Sequence, residues 1–436
     1  MVTIALCAVV CGANDWVAVE TFGRAKETWL RTFLPLPGGI PSHDTFGRVF
    51  ARLDPGEFQR CFLAWVRAVV GDLPPQVVAV DGKTSRRSGN RARGEHPLHL
   101  LSAWATASGL VLGQEATDVK SNEITALPRL LRLLALEGCV VTIDAMGCQS
   151  AIAAQIVEQR ADYVLALKGN QPTLQATVVG AFADAQRPGA DGWMPAAQDQ
   201  AQTWDKGHGR LERRRYTALS DPDLLACLDP TQAWPGLRSV VQVEAERRRG
   251  EQRSIETRYY LSSLPPDAAA LGQVIRAHWQ VENCLHWVLD VQFREDACRV
   301  RVGHEAQNFA ILRHLALNLL RQEGTVRGSL AAKRFRAALD HTYLLRLLAG
   351  LAHAPTDGLP TTCPNEMQSP FLRIRVLAVA GAACHHAGCP TGGSRAQQSR
   401  RDVRWPSPCW RRCASARSRP RCGSCRCPRS PPTPAS

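Results

Sequence analysis

"VVAVDGKTSRRS", Val77 to Ser88, begins with four small apolar residues and then places Asp81 where the apolar run stops. "VVTIDAMG", Val140 to Gly147, repeats the device with Asp144. A short, continuous run rich in Val and Ile predicts a strand buried on both faces. In an open α/β sheet the carboxyl ends of such strands form the edge where ligands collect. Two carboxylates delivered there by neighbouring strands stand a few ångströms apart. Like charges that close stay ionised only with a cation between them, so the pair predicts a metal site.

The surrounding order of elements fits this reading. "VVAVDG" predicts a strand, and "HLLSAWATASGLVLGQEATD" predicts two more turning at Ser108 and Gly109. "EITALPRLLRLLAL" predicts a helix broken into by Pro128. The strand "CVVTID", the helix "QSAIAAQIVEQR" and the strand "DYVLALKG" follow. The order βββαβαβ builds a mixed sheet with helices on both faces, the layout of an RNase H-like core. The fold class expected is therefore α/β: an RNase H-like mixed-sheet catalytic core with an N-terminal helical module and a mostly β insertion. Residues 1–72 form the helical module and 73–172 the first part of the core. Residues 173–262 form the insertion, with "LRSVVQVEAERRRG" and "SIETRYYLSSL" as a hairpin, and 263–350 return to the core as helices.

A third ligand is expected from a helix running from about Ala268 to Val291. On an α-helical period Val274, His278, Glu282, Leu285 and Leu289 share one face. An ionised Glu buried in that stripe needs a cation or a base, which makes Glu282 the third acid. Three hard oxygen ligands suit Mg²⁺ or Mn²⁺ and not zinc. Two such ions about 4 Å apart activate a water or a 3′-hydroxyl in phosphodiester chemistry.

The chain has 436 residues and a formal net charge of +14, but the charge is unevenly placed. From Cys363 onward there are 13 Arg against Glu366 and Asp402, which is +11, so the remainder is nearly neutral. Net charge is thus weak evidence for nucleic-acid binding by the folded part. Of 16 cysteines, eight lie singly in apolar stretches up to Cys298, as reduced thiols of a cytoplasmic protein do. "MVTIALCAVVCGA" has no basic residue before Arg24 and is too short to span a bilayer; it reads as a core helix. Residues 351–436 turn to Pro, Arg, Ser and Cys without a period and are expected to be disordered.

Several stretches resemble the DDE transposases of bacterial insertion sequences, in the H-repeat-associated group found beside Rhs elements. They are "GIPSHDTFGRVF", "VAVDGKTSRRS", "DVKSNEITALPRLL", "VTIDAMGCQ", "YVLALKGNQ", "KGHGRLERRR" and "HWQVENCLHWVLDVQFREDACR", spread over roughly residues 5 to 350. The resemblance implies a catalytic, metal-holding triad at Asp81, Asp144 and Glu282. It also implies hydrolysis at inverted-repeat DNA ends, attack of the freed 3′-hydroxyl on target DNA, and a dimer on paired ends, located on the nucleoid. In the broader group this helix carries a Tyr, Arg, Glu, Lys signature, and here Ile275, His278 and Leu289 stand in the Tyr, Arg and Lys slots. Phosphate contacts must then come from elsewhere. The candidates are Lys83, Arg86, Lys120, Lys168 and Asn170, with Lys206, His208, Arg210 and Arg213 of the insertion holding backbone rather than reading bases. His278, His286 and Asp290 are candidates to support the metal ligands. Relative to the family the chain looks clipped at its N-terminus, and its tail matches nothing in the group, as in a decaying copy. Two other readings are a nuclease remnant that no longer transposes and a zinc-binding tail built on "CHHAGC" and "CGSCRC", whose spacings fit no closed zinc knuckle.

Overall fold

The computed structural model describes residues 1–71, 73–89, 94, 96–117, 123–187, 193–207 and 209–349. Its centre is one nine-stranded sheet in the order β3-β2-β1-β4-β5-β9-β8-β7-β6. The strands are β1 (Val77–Thr84), β2 (His99–Ala105), β3 (Leu110–Ala116), β4 (Val140–Ile143), β5 (Asp162–Leu167), β6 (Ala197–Gly207), β7 (Arg210–Ser220), β8 (Ser239–Arg249) and β9 (Gln252–Ser262). Only β1–β4 and β4–β5 pair in parallel. These are the two short valine-rich runs and their neighbour, as strands buried on both faces require.

The β1–β4 register runs from Val77 opposite Val140 to Val80 opposite Ile143. Asp81 and Asp144 are the next residue on each strand, so the parallel ladder ends with both acids at one level. β1 itself does not stop at Asp81. It pairs with β2 as far as Thr84 opposite His99, so Asp81 stands inside a strand. Alternation along the pleat sets the faces. Val77, Val140 and Val164 pack under α10 (Ala268–His278) with Val241, Leu271, Val274 and Ile275, while Val78, Val80, Val141 and Ile143 belong to the larger core on the other side. Asp81 and Thr142 keep the parity of the α10 face.

The expected insertion does not fold apart from the core. Besides the helices α8 (Pro172–Ala185) and α9 (Pro222–Leu228) it supplies β6 to β9, and β9 pairs antiparallel with β5, so the same sheet continues into it. The hairpin expected there is the β8–β9 ladder.

The helix containing Pro128 is not broken. α6 (Glu123–Leu133) passes straight through it. A proline this near the N-terminus forfeits a single turn bond, to the carbonyl of Ile124. Packing supports the helix: Ala126, Leu127, Leu130 and Leu131 are buried, and Gln155 of α7 (Ser150–Glu158) donates to the Pro128 carbonyl at 2.9 Å.

The first helices α1 (Val2–Cys11), α2 (Trp16–Ala25), α3 (Glu27–Leu30), α4 (His43–Arg52) and α5 (Pro55–Val70) share a core with the last ones. Those are α11 (Trp287–Val291), α12 (Glu305–Gln322), α13 (Leu330–Leu339) and α14 (His341–Ala349). Trp16 meets Phe50 at 4.6 Å and Phe309 of α12 at 4.9 Å between ring centres. Arg334 of α13 donates to the carbonyl of Val9 at 2.9 Å, closing the C-terminal end of α1. α1 is a buried core helix, with Ile4 to Val10 all buried. Among the described residues no single helix is long and apolar enough to cross a membrane. The tail from residue 350, and with it the cysteines from Cys363 onward, lies outside the described residues.

Candidate active site

Glu282 comes from an irregular segment. Between α10 and α11 the chain makes a π-helical stretch, Val281–His286. Such a stretch widens the turn, shifts the helical phase and frees backbone carbonyls. Arg321 of α12 takes one of them, donating to the carbonyl of Cys284 at 2.6 Å. The consequence is that Glu282 is not buried in the apolar stripe where a regular helix would place it. Leu285 and Leu289 are buried, but the side chain of Glu282 is 54% exposed. The desolvation argument for this residue therefore fails, and its place in the site rests on geometry.

That geometry joins three groups. One donor atom each from Asp81, Glu282 and His286 lies within 4.8 Å of the others. His286 is buried, with its Nδ1 3.6 Å from Asp81 Oδ2 and 3.5 Å from Glu282 Oε2. Its Nε2 is buried without a partner among the described residues. His286 is thus a direct neighbour of both acids and not a remote support. Burial pushes the Asp81 carboxyl up to about 7, against the attraction of His286 and with the charges of Glu282 and Asp144 adding to the rise. The hydrogen-bonding reach of His286 holds Glu282 below the usual carboxylate range. Asp144 Oδ1 accepts from the amide of Met146 at 3.1 Å, and burial, then the charge of Glu123, raises its carboxyl. A buried acid near neutrality, a second acid, a third at the same strand level and an imidazole whose Nδ1 faces two of them form a donor set that fits a divalent cation.

The close approach of a fourth acid explains Gly82. A Cβ there would collide with Glu123 Oε1 and with His99. Glu123 and His99 are paired at 2.7 Å, and His99 Nδ1 lies 2.7 Å from Thr84 Oγ1. Nothing in the sequence marks Glu123 for this place except that it opens the helix of "NEITALPRLL".

His278 is tied to the sheet, and the charge of Glu282 reaches it. Its Nδ1 lies 3.0 Å from Thr142 Oγ1 on β4, and burial lowers its pKa to about 4, so it is a neutral tie between α10 and the sheet. Lys83 and Asp290 are also placed differently from expectation. Lys83 Nζ lies 2.8 Å from Asp290, 3.0 Å from Glu295 and 3.2 Å from Asp296, with 12% of its side chain exposed. Its charge is consumed inside the protein, which removes the basis for a phosphate contact, and Asp290 serves Lys83 rather than the acids. Glu295 also faces the buried Arg313 at 3.6 Å. Glu295, Asp296 and Arg313 are invisible as a network in the sequence because they lie more than 200 residues from Lys83.

Of the remaining basic candidates, Arg86 pairs with Asp296 at 3.1 Å and keeps an 81% exposed side chain. Lys168 is exposed, and its charge reaches Asp144. Asn170 donates to the carbonyl of Ala145 at 2.7 Å and so braces the turn that carries Asp144. In the insertion, Arg210 pairs with Glu212 at 3.6 Å and Arg213 with Glu246 at 2.8 Å, while Lys206 is exposed. Lys120 and His208 lie outside the described residues.

Comparison with known proteins agrees with the order of these parts. Residues 72–319 match the family model described as "Transposase DDE domain", and residues 1–66 match the one described as "DDE_Tnp_1-associated". The chain is 38% identical over 355 residues to the H repeat-associated protein YhhI of Escherichia coli, covering 80% of this chain and 91% of that one. It is 38% identical over 351 residues to YbfL of the same organism, covering 79% and 90%. A protein encoded in the dhlA 3′ region of Xanthobacter autotrophicus is 47% identical over 269 residues, covering 61% and 87%. The mixed sheet with acids at the end of its parallel strands and the family match over more than half the length lead to one conclusion: the chain belongs to the DDE transposase family.

Proposed function

We propose that this protein binds the inverted-repeat ends of the insertion sequence that encodes it, cleaves phosphodiester bonds there, and transfers the freed 3′-hydroxyl ends to target DNA. The observation that carries this is the convergence of Asp81, Glu282 and His286 within 4.8 Å, beside Asp144 at the same strand level. Divalent cations, Mg²⁺ or Mn²⁺, held by Asp81, Glu282 and Asp144 would supply activation of the attacking hydroxyl and charge stabilisation at the leaving oxygen. The chain's own residues do the rest. His286 holds Asp81 and Glu282 in place, Asn170 fixes the turn after Asp144, and the exposed Lys168, whose charge reaches Asp144, can meet a phosphate. In hydrolysis, water adds to phosphorus and the bond to the 3′-oxygen breaks, leaving a 3′-hydroxyl and a 5′-phosphate. In joining, that hydroxyl replaces water and a target phosphodiester is exchanged. Two ends need two such centres, so the working form is a dimer on paired ends, located with the DNA in the cytoplasm.

The test is nicking of a duplex carrying the flanking inverted repeats in Mg²⁺. Wild type is expected to nick it, and Asp144→Ala to lose the activity. Equal cleavage by the two proteins would defeat the reading.

A further inference from the structure

Many arginines of this chain are matched by carboxylates, and a few are not. In the insertion Arg213, Arg215, Arg248 and Arg258 each have a carboxylate within 3.0 Å. By contrast Arg48 and Arg52 of α4, and Arg294 and Arg299 of the segment after α11, are all exposed. None of these four has a carboxylate partner among the described residues. All four line one cleft of about 1150 Å³ between α4 and residues 294–302. Exposed guanidinium groups without internal partners, converging on one groove, are matched to the geometry of phosphate, which they bind in bidentate fashion.

The cleft is built, not incidental. Its walls are tied together by Cys298 Sγ on the Asn14 carbonyl at 3.2 Å and by the His304 amide on the Ala51 carbonyl at 3.1 Å. Gly303 has φ +54°, and a Cβ there would stand 2.7 Å from the Ala51 carbonyl oxygen, so this close approach needs glycine. Two of the three acids of the cleft are engaged, and Asp44 is 79% exposed. Asp15 caps α2 through the Ala18 amide at 2.8 Å, Asp44 lies 3.5 Å from His43, and Glu305 is buried over Gly47 with burial raising its carboxyl.

The same segment is bonded to β1 next to the carboxylate centre. Arg294 adopts a left-handed backbone, φ 49° and ψ 39°, uncommon for a residue with a side chain. After this turn Arg294 is exposed, while Glu295 is 3% exposed and bonded to Lys83, two residues beyond Asp81. Basic groups on the outside and the inner anchor of β1 therefore belong to one short stretch of chain. We propose that this cleft seats the sugar-phosphate backbone of duplex DNA on its way to the carboxylate centre, held there by Arg48, Arg52, Arg294 and Arg299. The proposal rests on the transposase reading and names the surface that takes the duplex.

The test uses the full chain and a fluorescent duplex carrying the element's end, with binding followed by anisotropy across a salt series. Replacing the four arginines together by Gln is expected to reduce the slope of log K against log salt by about 0.9 for each phosphate that is no longer neutralised, a total of about 3 to 4. Replacing all four by Lys is expected to keep most of the slope, which separates a loss of charge from a loss of fold. Arg215→Gln, in the insertion and paired with Glu244, is expected to leave the slope unchanged. An unchanged slope in the Gln variant overturns the proposal. If the Gln variant also still nicks the ends while Asp144→Ala does not, the transposase reading stands and only the cleft assignment falls. If the slope drops as expected but wild type never nicks the ends, the cleft assignment stands and the reaction does not.

Discussion

The two halves of the sheet bury acids and treat them in opposite ways. In the insertion, Glu212 has Arg214 at 2.5 Å and Arg247 at 3.0 Å, and Glu246 gathers Arg213, Arg248 and Arg253 within 2.8 Å. Burial would raise Glu212, yet Arg247 and Arg214 hold it below the ordinary range, and the hydrogen bond from Arg248 does the same for Glu246. At the β1–β4 junction the balance is reversed: Asp81 has one imidazole against the charges of Glu282 and Asp144, and burial pushes it up to about 7. A buried acid supplied with its cations is a finished structural part. A buried acid short of positive charge marks a place where a cation or a reaction is expected.

The largest effect should come from the deficient half. Asp81→Asn, Glu282→Gln or Asp144→Asn is expected to lower single-turnover cleavage of element ends by about 10³-fold or more, since each removes several kcal/mol of charge stabilisation. Stability should not fall with activity. Asp81 has a folded pKa above its unfolded 3.8, so its contribution is present at low pH and is lost as pH rises towards 7. Asp81→Asn should therefore unfold at a higher temperature than wild type at pH 8 in chelator. A variant that loses activity and stability together would show Asp81 to be an ordinary structural acid.

Lys83 sharpens the contrast because it lies two residues from Asp81 yet belongs to the finished kind. Lys83→Met leaves Glu295 buried with Arg313 alone and Asp290 and Asp296 without their shared cation. The expected loss is about 3 to 4 kcal/mol in urea unfolding. Glu295, held low by Arg313 and Lys83 against its burial, adds a pH signature. Its stability is present above the unfolded value of 4.5 and is lost as pH falls through the lower folded value. In Lys83→Met that acid loss should be smaller.

His278 gives the next test, with the opposite ion. Its folded pKa of about 4 lies below the unfolded 6.5, so the neutral imidazole is the one that fits beside Thr142. Stability should be complete above pH 6.5 and fall by about 3 kcal/mol as pH drops to 4, by linkage. His278→Gln should flatten that window, measured as the difference in unfolding free energy between about pH 7 and about pH 4.5.

How much of this is legible depends on whether partners lie near each other in the chain. The two valine runs announce β1 and β4, because β-branched residues in short apolar runs have few other uses, and the parallel register then brings Asp81 and Asp144 level. Glu282 is picked out in the sequence on a premise the structure removes: a regular helical stripe, where the chain in fact makes a π-helical stretch. A phase shift of that kind leaves no mark in residue spacing. Lys83 looks free because Glu295 and Asp296 lie more than 200 positions away. The insertion arginines look free for a related reason. Arg213 faces Glu246 and Arg215 faces Glu244 across the β7–β8 ladder, and only the register reveals such pairs.

The smallest effect asked for is the one that checks the finished half. Glu212 has a 4% exposed side chain and Arg214 a 13% exposed one, so Glu212→Ala leaves a guanidinium largely out of water with only Asp205 at 2.6 Å to answer it. Breaking a fully buried pair costs about 3 to 5 kcal/mol, and the 42% exposure of Arg247 lets solvent recover part of this. A loss of about 2 kcal/mol in urea unfolding follows. Cleavage per folded molecule should stay within about two-fold of wild type, because these charges answer one another. The exposed pair Arg215 and Glu244 sets the lower limit, with Glu244→Gln costing under about 1 kcal/mol. If Glu212→Ala instead abolished cleavage with stability intact, the arginines it releases would have been serving the reaction through it, and the division between the two halves of the sheet would not hold.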